Sequence, residues 1–238
     1  HTISQSGIGR RRSQWEATVT VMSFPEPLYL GIDFGTSGAR AIAIDPDGQM
    51  QAQASVPFGA DPTAGWEAAW QTTLFELLES LPLAVRQAVR AIAISGTSST
   101  VTLCDTAGHF LSEPLFYHDA CGGSVLAEVE AIAPPDHTVL SATSSLAKLY
   151  WWRAHQPLKP AGQRPYLLHQ ADWLAFLLHG RIGISDYHNA LKLGYDVGEL
   201  RYPDWMQPVF SLAILPRVLT PGMAIAPITP QTATRFGL

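Results

Sequence analysis

The stretch of this sequence best supplied for chemistry is Asp33-Phe34-Gly35-Thr36-Ser37-Gly38. Gly35 and Gly38 let a turn bend tightly and bring backbone N–H groups to an oxyanion, and Thr36 and Ser37 add hydroxyl donors. The group such a turn holds is a phosphate. Asp33, just before it, is placed to hold Mg²⁺ through water, because that ion takes one or two carboxylates together with phosphate oxygens. No Gly-Lys-Ser/Thr follows, so this is not a Walker loop. Taken alone, the hexapeptide reads equally well as a glycine-rich hairpin turn. A second run of hydroxyls, Ser95-Gly96-Thr97-Ser98-Ser99-Thr100, follows an apolar segment. Open α/β sheets bind ligands where parallel strands end. Against that, most such clusters only satisfy nearby backbone groups. The segment 184–190 is a polar cluster between apolar segments, and Asp186 within it can cap the Tyr187–Leu191 turn. His169 and His188 read as ordinary half-buried histidines, and Trp151, Trp152 and Trp173 as core.

Strands are needed to hold the first two of these loops. The apolar runs Leu28–Ile32 and Ala39–Ile44 flank the phosphate turn and predict a hairpin. Asp45-Pro46-Asp47-Gly48 is a turn signal, with a third strand expected over 49–57. Trp66, Trp70, Leu74, Leu77 and Leu78 recur at helical spacing, started by Asp61-Pro62-Thr63, and a short helix is expected over 82–88. The buried strand Ala91–Ile94 follows. Three strands, a helix and a strand make the ribonuclease-H-like order of an α/β domain. Beyond it, Val101–Asp105 is apolar and reaches a turn, helices are expected over 124–132, 145–155 and 171–178, a proline loop over 157–165, and a proline-punctuated tail over 203–238. Ser144 or Ser145 caps the second of those helices.

At 238 residues the chain can bury a sizeable core. Its formal charge of −5 gives no electrostatic reason to expect nucleic acid or an anionic membrane as a partner. The two cysteines, Cys104 and Cys121, make neither a metal-ligand spacing nor a disulfide framework, which fits a reducing compartment. No apolar run approaches the roughly 20 residues that span a bilayer. Residues 1–21 are polar, with an Arg10-Arg11-Arg12 cluster, and read as a leader or non-native start before Met22. The expected location is cytoplasmic, or the plastid stroma if the source is a plant or alga.

Asp33-x-Gly-Thr-Ser-x-x-Arg40 resembles the first phosphate motif of the actin/sugar-kinase/Hsp70 ATPase superfamily. Further motifs follow in register: Ile94-Ser95-Gly96-Thr97, Val101–Gly108, Lys148-Leu149-x-Trp151, Ser185-Asp186-x-x-Asn189-Ala190 and Ala233–Leu238. Together, from about Leu28 to Leu238, they resemble the N-terminal lobe of the FGGY family of carbohydrate kinases, and within it most resemble the cyanobacterial and plant-plastid D-ribulose kinases. The resemblance implies an α/β, ribonuclease-H-like lobe over 22–238, with a mixed sheet flanked by helices. It implies ATP and Mg²⁺ as cofactors, with Gly35, Thr36, Ser37 and Gly38 at the γ-phosphate and Asp33 at the metal or the sugar's phosphorylated end. A sugar hydroxyl would fall to Ser98, and Asp186 is placed beside the sugar. It implies too that the general base and the adenosine pocket belong to a C-terminal lobe beyond Leu238, the missing partner of this one. Without that lobe the 238 residues are expected to be inactive. A D-xylulose kinase, a non-catalytic sugar-binding remnant and another member of the ATPase superfamily are the alternatives.

Overall fold

Strict alternation along the first strand gives the main sheet one covered and one open face. In β1 (Leu28–Phe34), Leu28, Leu30, Ile32 and Phe34 are buried while Tyr29, Gly31 and Asp33 are exposed. A period of two puts these sets on opposite faces. β2 (Gly38–Ile44) runs antiparallel to β1, with Ala39, Ala41 and Ala43 inward and Arg40 directly opposite Asp33. β3 (Met50–Pro57) pairs with β2, and the turn between them has Gly48 at φ +78°. The chain then crosses the covered face through α1 (Gly65–Glu79) and α2 (Leu83–Ala88) to β4 (Val89–Ser95), which lies parallel to β1. The sheet order is β3-β2-β1-β4. The structure is a computed structural model that describes residues 26–59, 65–156 and 163–238. The leader over 1–21, the helix start at 61–63 and most of the proline loop at 157–162 lie outside the described residues.

The parallel pairing brings the two chemical loops together. Asp33 at the end of β1 is paired with Ser95 at the end of β4, so the phosphate turn and the hydroxyl run leave the sheet side by side. Topology, not sequence proximity, joins them.

The remainder packs around a second core. β5 (Val101–Cys104) pairs antiparallel with β6 (Tyr166–His169), in a separate sheet between the two cores. Leu103 and Leu167 face the second core, Cys104 and Leu168 the first, which is why β5 is buried at every position. The helix expected over 124–132 is shorter: a 3-10 turn over Cys121–Val125 leads into α3 (Leu126–Glu130). α4 (Ser145–His155) is capped by Ser144, whose hydroxyl accepts from the Ala147 N–H at 3.0 Å. α5 (Gln170–His179) ends at Gly180, φ +71°, and packs Trp173 against Trp70 and Phe110. β7 (Ile184–Asp186), α6 (Tyr187–Ala190), β8 (Arg217–Leu219) and α7 (Pro230–Phe236) complete the described chain. β8 pairs parallel with β7, and α7 opens with a Thr229 cap and Pro230. No helix among the described residues is long and apolar enough to cross a membrane.

Gly38 carries a packing constraint. A Cβ there would lie 2.5 Å from the Val56 carbonyl oxygen and 2.7 Å from the Pro57 Cα, both backbone atoms that cannot swing away. Gly38→Ala is therefore expected to lower unfolding free energy by about 1–3 kcal/mol, the cost of overpacking, as read by urea denaturation. An unchanged midpoint would show that β3 yields.

Candidate functional site

The phosphate turn is built from its own backbone. The Gly35 N–H donates to the Gly38 carbonyl at 2.9 Å and closes the hairpin, so that donor is already committed. The Phe58 N–H donates to the Ser37 carbonyl at 3.0 Å and ties the turn to the strand end of β3. What remains to meet an anion are the N–H groups and hydroxyls of Thr36 and Ser37, both exposed and without partners among the described residues. Gly38 opens β2 opposite Pro57 of β3, and its carbonyl closes the turn.

Asp33 stands on the open face of the sheet. Its carboxylate accepts from the Arg40 guanidinium at 3.2 Å across the β1–β2 ladder, with both side chains at least half exposed. A groove of about 500 Å³ runs along this face, lined by Gly31, Asp33, Arg40, Ile42, Ala93 and Ser95. For Mg²⁺ the donor fits: a single hard carboxylate beside a phosphate turn is the partial shell that this ion completes with phosphate oxygens and water.

Ser98 is presented by a loop pinned from three directions. The Gln170 side chain accepts from the Thr97 N–H at 3.0 Å and from the Thr97 hydroxyl at 3.2 Å. The Thr100 carbonyl accepts from the Gln170 N–H at 2.9 Å. Lys148, fully buried in α4, donates to the Ser99 carbonyl at 2.8 Å and also to the Phe116 carbonyl. Ser99 itself sits at φ +59°, a left-handed conformation unusual for a side chain with a Cβ, and is 2% exposed with its hydroxyl unpartnered. Such local strain persists only where the surroundings hold it, and here it turns Ser98 outward.

A cleft of about 290 Å³ brings Thr36 of the phosphate turn together with Thr97, Ser98, Tyr117 and Lys192. Asp33 lines the adjoining groove instead. Asp186 lines neither; its carboxylate accepts from the Asn189 N–H at 2.9 Å and caps α6. His169, expected to be half-buried, is instead 1% exposed. It contacts Asp172 at 2.9 Å, with the hydroxyls of Ser145 and Ser185 each 3.4 Å from its ring, and so joins α4, α5 and β7. Trp152 and Trp173 are core, as read.

Three positioning or lining residues received no role in the sequence reading: Gln170, Lys148 and Lys192. Only Lys148 leaves a signal, a lysine inside the apolar run Leu146–Trp152. Burial pushes its ammonium down to about 8, with Cys121 and Asp119 opposing that shift and Lys192 adding to it. Because the folded value lies below the ordinary 10.5, the unfolded chain holds more proton between the two. Lys148 therefore withholds stability below pH 8, and that stability returns as pH rises toward 10.5. The difference in urea stability between wild type and Lys148→Met is expected to grow with pH through this window, by at most about 1.4 kcal/mol per pH unit. Buried Cys104 and half-buried Tyr202, whose protons are held more tightly when folded, work the other way but cancel in the difference. A flat difference would mean that Lys148 titrates normally.

Comparison with known proteins follows the same lines. The family model described as FGGY family of carbohydrate kinases, N-terminal domain, matches residues 28–238. A glycerol kinase of Rhodospirillum rubrum is 26% identical over 233 residues, covering 85% of this chain and 47% of that protein. A xylulose kinase of Escherichia coli is 23% identical over 223 residues, covering 89% and 46%. Among solved structures, ligand-bound xylulose kinase from Lactobacillus acidophilus superposes with a TM-score of 0.73 at 16% identity, and Plasmodium falciparum glycerol kinase with ADP with 0.72 at 16%. Each covers 89% of this chain and 46% of the other. The fold is thus the ribonuclease-H-like lobe of the sugar-kinase, actin and Hsp70 group, and the chain spans about half the length of the curated relatives it matches.

Proposed function

This chain belongs to the FGGY family of carbohydrate kinases, and from that premise we propose that it is the acceptor-binding lobe of an enzyme that phosphorylates a sugar or polyol with ATP. The observation that carries the proposal is the shared cleft: unpartnered donors of the phosphate turn, at Thr36, open into the same space as the outward hydroxyl of Ser98. One side receives an anion and the other a hydroxyl.

In this reading Thr36 and Ser37 hold the γ-phosphoryl group through N–H and hydroxyl donors, and Ser98 with Thr97 orients the acceptor. A site that pairs each hydroxyl of its substrate rejects analogues that leave its own groups unpaired. Asp33 would hold Mg²⁺ through water, and the ion when bound would neutralise charge on the phosphates. The acceptor oxygen bonds to the γ-phosphorus as the bond from phosphorus to the ADP oxygen breaks. The hydroxyl proton goes to a carboxylate supplied by the other half of the enzyme. D-ribulose is the acceptor placed first, and D-xylulose is supported equally by the xylulose kinases among the relatives.

The test is ATP turnover by the full-length gene product against D-ribulose, D-xylulose, L-ribulose, sedoheptulose and glycerol. Turnover restricted to one ketopentose supports the reading and names the sugar. No turnover with any of them, while a sugar still binds, would replace it with a non-catalytic sugar-binding protein.

A further inference from the structure

We infer that Lys192 is a further catalytic residue of this cleft, an ammonium that holds the phosphoryl group on its acceptor side as it passes to the sugar. The inference rests on the kinase reading above and deepens it.

Lys192 is the only charged side chain among the residues lining the 290 Å³ cleft, where it faces Thr36, Thr97, Ser98 and Tyr117. Among the described residues it makes no ion pair and no side-chain hydrogen bond. It is half-buried. Withdrawing an ammonium partly from water is unfavourable unless something pairs with it, and nothing described in the fold does so. An anion arriving in the cleft would.

The backbone beneath Lys192 is rigid. It lies in a 3-10 turn over Leu191–Leu193 that ends at Gly194, φ +112°, where the Gly194 N–H donates to the Leu191 carbonyl. Ala190 and Leu193 on either side are fully buried. A Cβ at Gly194 would fall 2.7 Å from the Met206 sulfur and 2.9 Å from the Trp205 ring, so the turn is clamped against the second core. The backbone that carries the ammonium is thus packed in place, which limits the reorganisation needed to bring the charge to a transition state.

Other charges near the cleft do not compete for this role. The Arg40 guanidinium is engaged by Asp33 on the open face. Lys148 is spent on the Ser99 and Phe116 carbonyls beneath the loop. Thr36 donates from the nucleotide side and Lys192 stands among the hydroxyls that orient the acceptor, so the two bracket the path of the transferred group. A phosphoryl group in flight spreads negative charge over three oxygens, and the acceptor oxygen carries a phosphate only after transfer. Lys192 therefore binds the transition state and the phosphorylated product more strongly than the neutral sugar.

The experiment uses the full-length protein as wild type, Lys192→Met and Lys192→Arg. Two quantities are read: kcat and KM for the accepted sugar, and equilibrium binding of inorganic phosphate by calorimetry. Lys192→Met is expected to lower kcat about a hundredfold or more with the sugar KM within a few fold, because the lost contact exists only once charge develops. Phosphate binding should weaken at least tenfold in the same variant. Arginine should restore part of both. A raised sugar KM with unchanged kcat would overturn the inference in favour of a sugar-hydroxyl donor. Equal phosphate binding by wild type and Lys192→Met would overturn it whether or not any sugar is turned over. If wild type phosphorylates none of the sugars yet Lys192→Met loses phosphate, the kinase reading fails and the anion site stands.

Discussion

Replacing Asp33 by asparagine in the full-length protein is expected to lower ATP-dependent turnover by about a hundredfold to a thousandfold while leaving the fold intact. The side chain is exposed, its partner Arg40 is exposed, and their contact at 3.2 Å is a surface ion pair. Such pairs contribute about 0–1 kcal/mol to stability. An asparagine oxygen can still accept from Arg40, so the hairpin register persists and only the negative charge is lost. If Asp33 serves the metal beside the phosphate turn, that charge is its function, and thermal melting should scarcely move as activity falls. Full activity in Asp33→Asn would remove Asp33 from the reaction. Lost activity with a lowered melting point would assign it to the fold. Arg40→Ala is the useful companion, because it frees the carboxylate without deleting it.

Lys148→Met should produce the largest loss of stability, about 2–4 kcal/mol by urea denaturation. The direction needs argument, since a buried charge exchanged for an apolar side chain of similar length often leaves stability unchanged or improved. That outcome requires the partners to disappear with the charge. Here they stay. The Ser99 carbonyl is a buried backbone group and the Phe116 carbonyl a part-buried one, and both would lose this donor. Each buried group without a partner costs about 1–3 kcal/mol, and the net loss is largest toward pH 10.5, where little of the ammonium's burial penalty is left to relieve. The loss also reaches the cleft. The Ser99 carbonyl is what Lys148 uses to hold the left-handed residue beside Ser98, so sugar affinity should fall with stability. A variant as stable as wild type would show that water replaces the ammonium at both carbonyls.

Local patterns carried much of the fold. β1 and β2 could be read because alternation of buried and exposed residues is a property of one strand and its covering layer, visible within seven residues. α1 was legible from its tryptophan and leucine spacing, and α5 from its apolar run closed by Gly180. β8 and α7 were not. Arg217–Leu219 becomes a strand only by pairing with Ile184–Asp186, and α7 shelters its Phe236 against Phe75, a partner far back in the chain. Within Asp33–Gly38, the types of the residues pointed to phosphate. Their division of labour did not follow: Gly35 closes the turn, Gly38 makes room for β3, and Thr36 and Ser37 keep their donors.

By itself, then, the sequence determined the elements of the first sheet, the phosphate turn and the hydroxyl run, because each depends on residues close along the chain. The tertiary structure decided which of them meet. Asp33 points from the open sheet face toward Arg40, and Ser98 opens into the cleft with Thr36. Asp186 spends its carboxylate on the N-terminus of α6. Lys148, Gln170 and Lys192 come to the hydroxyl loop from 49 to about 90 residues away, Lys148 to Ser99 and Gln170 to Thr97 across separations of 49 and 73. A charge or a hydrogen bond acts over a few ångströms of space, and only the folded chain sets which residues lie within that reach.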